Sequence, residues 1–349
     1  MNLESQHSTL NTQHSTLNTV EIPKNNAFNA LRLFFALVVV LYHCIGHYRT
    51  LNEFESIIFD GHIAVCAFFI ISGFWITKSY FSSASLKNFY IKRIKKILPM
   101  YYLSILLFSI VCFFVSNLSI KEYFNSEYVK YLFCNAIFLN FLHKNLPGCF
   151  FGDAVNGALW TIKIEIGFYL ILPLIMHFWE KIKTRRMKNL YLTILYTLSI
   201  LYSIGIAYLS RKIKIPTQLV NQLPTFIAHF ISGMVIYLNW DIIFPKLNKI
   251  ILPFIIIFIL HYFTKTEIFL PISLAFIIVF LALRLKFLFN IGKNIDFSWG
   301  LYLFHFPLMQ ILYFSGISKL SPTIYLVSVI SIAFVITYVV EVFFQRKIK

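Results

Sequence analysis

Residues 30–48, ALRLFFALVVVLYHCIGHY, form an apolar run that carries an arginine, Arg32, and a histidine, His43. On an α-helix, eleven residues advance about 16.5 Å and end about 20° past three full turns, so both side chains share one face. Arginine at the centre of a membrane helix costs roughly 2.5–3.5 kcal/mol on insertion scales, and ionisable groups kept there pair with one another or serve a substrate. Histidine changes charge near neutral pH, which suits a general base. A cation at the mouth and an imidazole three turns deeper match a ligand with an anionic head and a reactive tail. A coenzyme A thioester has that shape. The structural alternative is that Arg32 snorkels to the headgroups and His43 fills a polar gap between helices.

The elements that must position this pair are set by composition. The 349 residues are 58% hydrophobic, 18% aromatic and 13% charged, with 39 Phe, against about 45–50% apolar and 25% charged in soluble domains. The excess runs along the whole chain, so the expected fold is an all-α integral membrane protein. At about 20 apolar residues per helix, about ten transmembrane helices fall near 28–48, 61–80, 98–117, 157–179, 189–209, 223–240, 249–264, 267–284, 298–316 and 322–344. A shorter apolar piece at 128–142 reads as re-entrant or interfacial. With the N-terminus inside, inner segments hold 19 Lys/Arg and outer segments 9, so the positive-inside rule places both termini in the cytoplasm. The net charge of +17 comes from short clusters between spans, a pattern of topology and not of nucleic-acid binding.

Two domains are expected: a polar leader at 1–24, in which QHSTLNT occurs twice, and the membrane domain at 25–349. The leader lacks an apolar core and reads as disordered, with no secretory signal. Of five cysteines, Cys44, Cys66 and Cys112 fall in apolar spans as core residues, while Cys134 and Cys149 are candidates for an outer-loop disulfide. His43 and His47 at i, i+4 have a metal-ligand spacing, but no carboxylate shares their helix, so no metal is expected. Ser72-Gly73 lacks the strand–turn–helix setting of a nucleophile elbow and reads as small-residue helix packing.

Six blocks occur in one order along the chain: R-x10-H in the first span, AFFIISGFWI (67–76), FYIKRIKKILPMYY (89–102), LWTIKIEIGFYLILP (159–173), SWGLYLFHFP (298–307) and YVVEVFF (338–344). Together they resemble membrane acyltransferase family 3, whose members O-acetylate bacterial surface polysaccharides. There are departures: Lys96 stands where the family has a second Arg, which keeps the charge and loses the bidentate fork; Thr161 replaces a Ser and Trp299 a Tyr. The chain resembles a stand-alone member without an SGNH domain.

The resemblance implies an O-acyltransferase of the bacterial inner membrane, with acetyl-CoA as donor substrate, no permanently bound cofactor, and an envelope glycan or glycolipid as acceptor. His43 would be the general base or an acyl-carrying nucleophile, and Glu165 would orient it or hold a sugar hydroxyl. Arg32, Arg93 and Lys96 would meet the coenzyme A phosphates; for the basic cluster the competing account is positive-inside topology alone. Trp160, Tyr169, Tyr302 and His305 are cavity or acceptor-binding candidates, although His305 also reads as a packing residue. Pro307, two residues on, opens the helix and frees a carbonyl that needs a partner. For Glu165 the structural account is a salt bridge to Arg32 or Lys163, and for Glu341 a structural role is favoured. The rival function is a secondary transporter of an anionic solute or lipid-linked sugar through Arg32, Glu165 and His43; a third is an inactive scaffold.

Overall fold

The computed structural model describes residues 21–49, 52–213, 220–264, 266–293 and 295–348, and the leader repeat at 6–19 lies outside them. Among the described residues there are helices, turns and no strand. In chain order the helices are α1 (Phe28–Tyr48), α2 (Glu53–Ile58), α3 (Gly61–Phe81), α4 (Leu86–Val111), α5 (Ile120–Tyr123), α6 (Ser126–Ala136), α7 (Trp160–Lys181), α8 (Arg185–Ile213), α9 (Leu223–Leu238), α10 (Trp240–Thr264), α11 (Leu270–Arg284), α12 (Phe297–Phe314) and α13 (Pro322–Ile348). Each of the ten expected spans falls on one of these helices. Seven are long and apolar enough to cross a membrane, and α9 and α11 are shorter apolar helices. The chain is therefore a multi-pass membrane protein.

Burial sorts the helices into two layers. α8, α10 and α13 leave Leu, Ile and Val exposed along their length, as at Leu198, Leu252, Ile256 and Val335. Water would not tolerate so much bare hydrocarbon, whereas lipid tails do. Against them lie α1, α3, α7, α9, α11 and α12, whose buried side chains form one continuous core. The tightest crossing joins α3 to α9. A Cβ added at Gly73 would sit 2.0 Å from the Phe230 carbonyl oxygen, and one at Gly233 would sit 2.1 Å from that of Ile70. Only glycine lets two backbones approach so closely, which gives Gly73 the packing role expected of it.

Two local expectations change. KNFYIKRIKK, expected between spans, is helical: α4 begins at Leu86, twelve residues ahead of the expected span, with Ser85 accepting from the Asn88 N–H at its start. Long Lys and Arg side chains are good helix formers, and the result puts Arg93 and Lys96 at i, i+3 on neighbouring positions of one helix face. The apolar piece at 128–142 is the 11-residue α6 and a following turn, too short to span, in line with the expected re-entrant or interfacial segment. No disulfide links Cys134 to Cys149, and all five cysteines are free. The Cys149 thiol instead turns to the end of α4, 3.4 Å from the Cys112 carbonyl oxygen.

Candidate active site

α1 and α12 are joined by two polar rungs. The first is an ion pair, Arg32 Nη1 to Asp296 Oδ2 at 2.7 Å, with both side chains largely buried. Asp296 is held because it also caps α12, accepting from the Ser298 amide at 3.3 Å and from the Ser298 hydroxyl. The second rung is His43 Nδ1 to His305 Nε2 at 2.9 Å. The rungs are eleven residues apart on α1 and nine on α12, so the two helices run in the same direction.

The freed carbonyl expected from Pro307 is present and satisfied. Pro307 has no N–H to offer the Leu303 oxygen four residues back. That oxygen accepts instead from Asn156 Nδ2 at 2.9 Å and from Ser104 Oγ at 3.4 Å. Neither donor is visible in local sequence patterning around residue 305. Both belong to other parts of the chain, and they steady the turn of α12 that carries His305.

A cavity of about 440 Å³ opens beside the first rung. Arg32 from α1, Lys78 from α3, and Arg93 and Lys96 from α4 put four cationic side chains on its wall. Glu165 and Tyr169 from α7, Trp299 and Tyr302 from α12, and Phe68 and Ser72 from α3 complete the part that matters here. Of the four cations, Arg32 is paired with Asp296 and Lys78 lies 4.8 Å from the Trp75 ring centre. Arg93 is set against the Tyr169 ring, 6.0 Å from its centre. Its Nε is buried without a hydrogen-bond partner, as is Nε1 of Trp299. Buried donors left open in this way cost free energy unless something accepts from them. The chamber thus carries more cation than anion and spare donors, which suits an anionic ligand.

Six of the residues singled out in the sequence meet here: Arg32, Arg93, Lys96, Glu165, Tyr169 and Tyr302. Three do not. Trp160 packs on Phe226, ring centres 5.6 Å apart, away from the chamber wall. His43 and His305 are not on its wall. Phe68 and Tyr302 on that wall have ring centres 5.7 Å apart, with the Tyr302 hydroxyl 2.7 Å from Thr161 Oγ1. The Tyr302 ring in turn meets His305, centres 5.9 Å apart. His305 is fully buried, whereas His43 is half-buried and its Nε2 has no hydrogen bond among the described residues.

Glu165 pairs neither with Arg32 nor with Lys163. Its Oε1 accepts from Ser72 Oγ at 2.8 Å and from the Tyr169 hydroxyl at 2.9 Å, and the Lys163 ammonium lies over the Phe141 ring. The hydrogen-bond partner of His43 is the other histidine, not this carboxylate. Glu341 is half-buried on α13, within the electrostatic reach of Asp296 and Lys96. The residue that sequence reasoning missed outright is Asp296. Its signal was present, an Asp two residues before a serine at the head of an apolar run, which is a helix-capping pattern. Lys78, Asn156 and Trp299 were not read as site residues either.

Comparison with known proteins adds a family. The model of the acyltransferase domain matches residues 25–342. Nodulation protein 10 of Rhizobium leguminosarum bv. viciae is 27% identical over 168 residues, covering 45% of this chain and 46% of that protein. An O-acetyl transferase of Shigella phage Sf6 is 31% identical over 153 residues, covering 42% and 45%. The chain spans less than half the length of these curated relatives. No solved structure matches.

Proposed function

The chain belongs to the acyltransferase domain family, and from that premise we propose that it is a membrane-embedded O-acyltransferase. The group moved is an acyl group, acetyl by likeness to the phage O-acetyl transferase. The donor is an acyl-coenzyme A, and the acceptor a hydroxyl of a cell-envelope polysaccharide or glycolipid. The observation that carries this reading is a chamber with unpaired cationic donors built against the same helix that bears His43.

The donor's phosphates rest on Arg93 and Lys96, with Arg32 adding charge behind them. Trp299 Nε1 gives a hydrogen bond to the polar arm. The arm passes Phe68 and Tyr302 on the chamber wall and brings the thioester carbon within reach of an acceptor oxygen whose proton goes to His43. Glu165, held by Ser72 and Tyr169, is a fixed negative charge that lets a cluster of cations share one apolar bundle. The positive-inside bias supports a chamber mouth and both termini on the cytoplasmic side of a bacterial inner membrane.

The test uses the full chain in lipid vesicles, with labelled acetyl-coenzyme A and envelope glycans as acceptors. Label should move to the glycan and should fail to do so in His43→Ala protein that is still folded. Solute flux with no acyl transfer would overturn the reading in favour of a transporter.

A further inference from the structure

The two histidines of the second rung have an order that their surroundings dictate. His305 Nδ1 lies 2.8 Å from the Tyr302 carbonyl oxygen and 3.1 Å from that of Leu301. A carbonyl oxygen only accepts, so Nδ1 of His305 carries a hydrogen. Neither ring is hydrogen-bonded to a carboxylate among the described residues, and an uncompensated charge in so apolar a setting is costly. In the neutral ring the other nitrogen, Nε2, must then present its lone pair. That lone pair is 2.9 Å from His43 Nδ1, and the ring centres are 5.2 Å apart, the spacing of two imidazoles joined end to end through that bond, so it lies near both ring planes. His43 must donate through Nδ1. Its own lone pair is left at Nε2, the nitrogen with no hydrogen bond among the described residues.

We propose that His305 is a positioning residue, which fixes the tautomer and ring angle of His43 and relays its charge to the backbone carbonyls of Leu301 and Tyr302. This rests on the acyltransferase reading above. In the reaction, the acceptor hydroxyl gives its proton to His43 Nε2 as its oxygen bonds to the thioester carbon. The carbon–sulfur bond breaks as the intermediate collapses, and the departing thiolate takes the proton back from Nε2. Between those steps His43 is an imidazolium. Its Nδ1–H then points at the His305 lone pair, and the His305 Nδ1–H at two carbonyl dipoles. A histidine backed by main-chain oxygens does here what a buried carboxylate does for other catalytic histidines: it selects the tautomer and stabilises the charged form. Unlike a carboxylate, it adds no net charge to the hydrocarbon.

Two variants separate the relay from mere packing. His305→Leu removes the acceptor for His43 Nδ1–H, while His305→Gln restores an acceptor oxygen and an amide that can donate to the carbonyls. With His305→Leu, kcat should fall by roughly 10²-fold or more, within the range of general-base contributions, while the KM for acyl-coenzyme A stays within about twofold because the phosphates bind elsewhere. His305→Gln should recover at least tenfold of that loss. Nitrogen-15 spectra of histidine-labelled wild-type protein, with His43 assigned by its loss in a variant, should show a protonated Nδ1 and a bare Nε2. Full kcat in His305→Leu beside an inactive His43→Ala would overturn this proposal and leave the acyltransferase reading standing. Full activity in His43→Ala would instead overturn that reading. If His305→Leu fails to fold, the spectra decide alone: an unprotonated Nδ1 on His43 sinks the relay.

Discussion

The two rungs between α1 and α12 are only about three helical turns apart, and they are built on opposite principles. At Arg32 and Asp296 the bundle spends charge freely. Around that ion pair it gathers Lys78, Arg93, Lys96 and Glu165 on one cavity wall and leaves donors on Arg93 and Trp299 open. At His43 and His305 both rings are joined through a hydrogen bond and the freed carbonyl beside them is covered. A binding chamber gains from unmet donors because the ligand meets them. A reacting centre set in hydrocarbon gains from meeting every donor in advance, so that only one lone pair is left for chemistry.

The sharpest way to break this contrast is to cut each half in turn. His43→Ala removes the lone pair and should lower kcat by roughly 10²–10⁴-fold, with donor affinity retained. Equal losses in binding and turnover would mean that the two regions are not separate. Reversing charge in the chamber, with Arg93→Glu and Lys96→Glu together, should do the converse. Charge-assisted hydrogen bonds contribute about 1.5–3 kcal/mol each, so the KM for acyl-coenzyme A should rise at least tenfold, with little change in acceptor KM. A rise in both constants would remove the donor from the chamber.

A smaller effect comes from the ion pair itself. Asp296→Asn keeps the cap on Ser298 but frees Arg32, so the folded protein should lose about 1.5–3 kcal/mol, seen as a lower unfolding temperature in detergent. Donor KM should not rise, because the change adds positive charge to the chamber. A raised KM would show that Asp296 shapes the phosphate site and does more than restrain Arg32.

How far the sequence revealed these two regions follows the same division. Arg32, Arg93, Lys96 and Glu165 were legible because charge inside hydrocarbon demands a reason, and all four reach one cavity. Their partners were harder to read. Arg32 chose Asp296, 264 residues away in the chain, and Glu165 chose a serine and a tyrosine over the nearest cations. Pairing is decided by which helices touch, and hydropathy sets only how many there are and where they start. The basic run at 89–96 falls outside the expected span for a related reason: hydropathy follows apolar residues, and α4 extends beyond the apolar stretch into charge. The helix at α12 was the clearest success of local reasoning, since Pro307 alone announces an orphan carbonyl, although not who covers it.

That covering bond allows the finest test of how the histidine rung is held. In the wild type, Asn156 Nδ2 reaches the Leu303 oxygen because Pro307 does not. Asn156→Ala strands that oxygen in a buried site, with Ser104 at 3.4 Å a poor substitute, and also removes the Oδ1 that accepts from the Ala158 N–H at 3.1 Å; each loss should cost about 1–3 kcal/mol. Pro307→Ala supplies the missing N–H from within α12, so on that background the same Asn156→Ala change should cost less, keeping only the loss of the Ala158 bond. Unfolding temperatures of the four proteins give the coupling directly. If Asn156→Ala is equally damaging with and without the proline, its side chain stabilises something other than the opened turn. If the penalty falls with the proline gone, the opened turn beside His305 is held from outside by a loop residue.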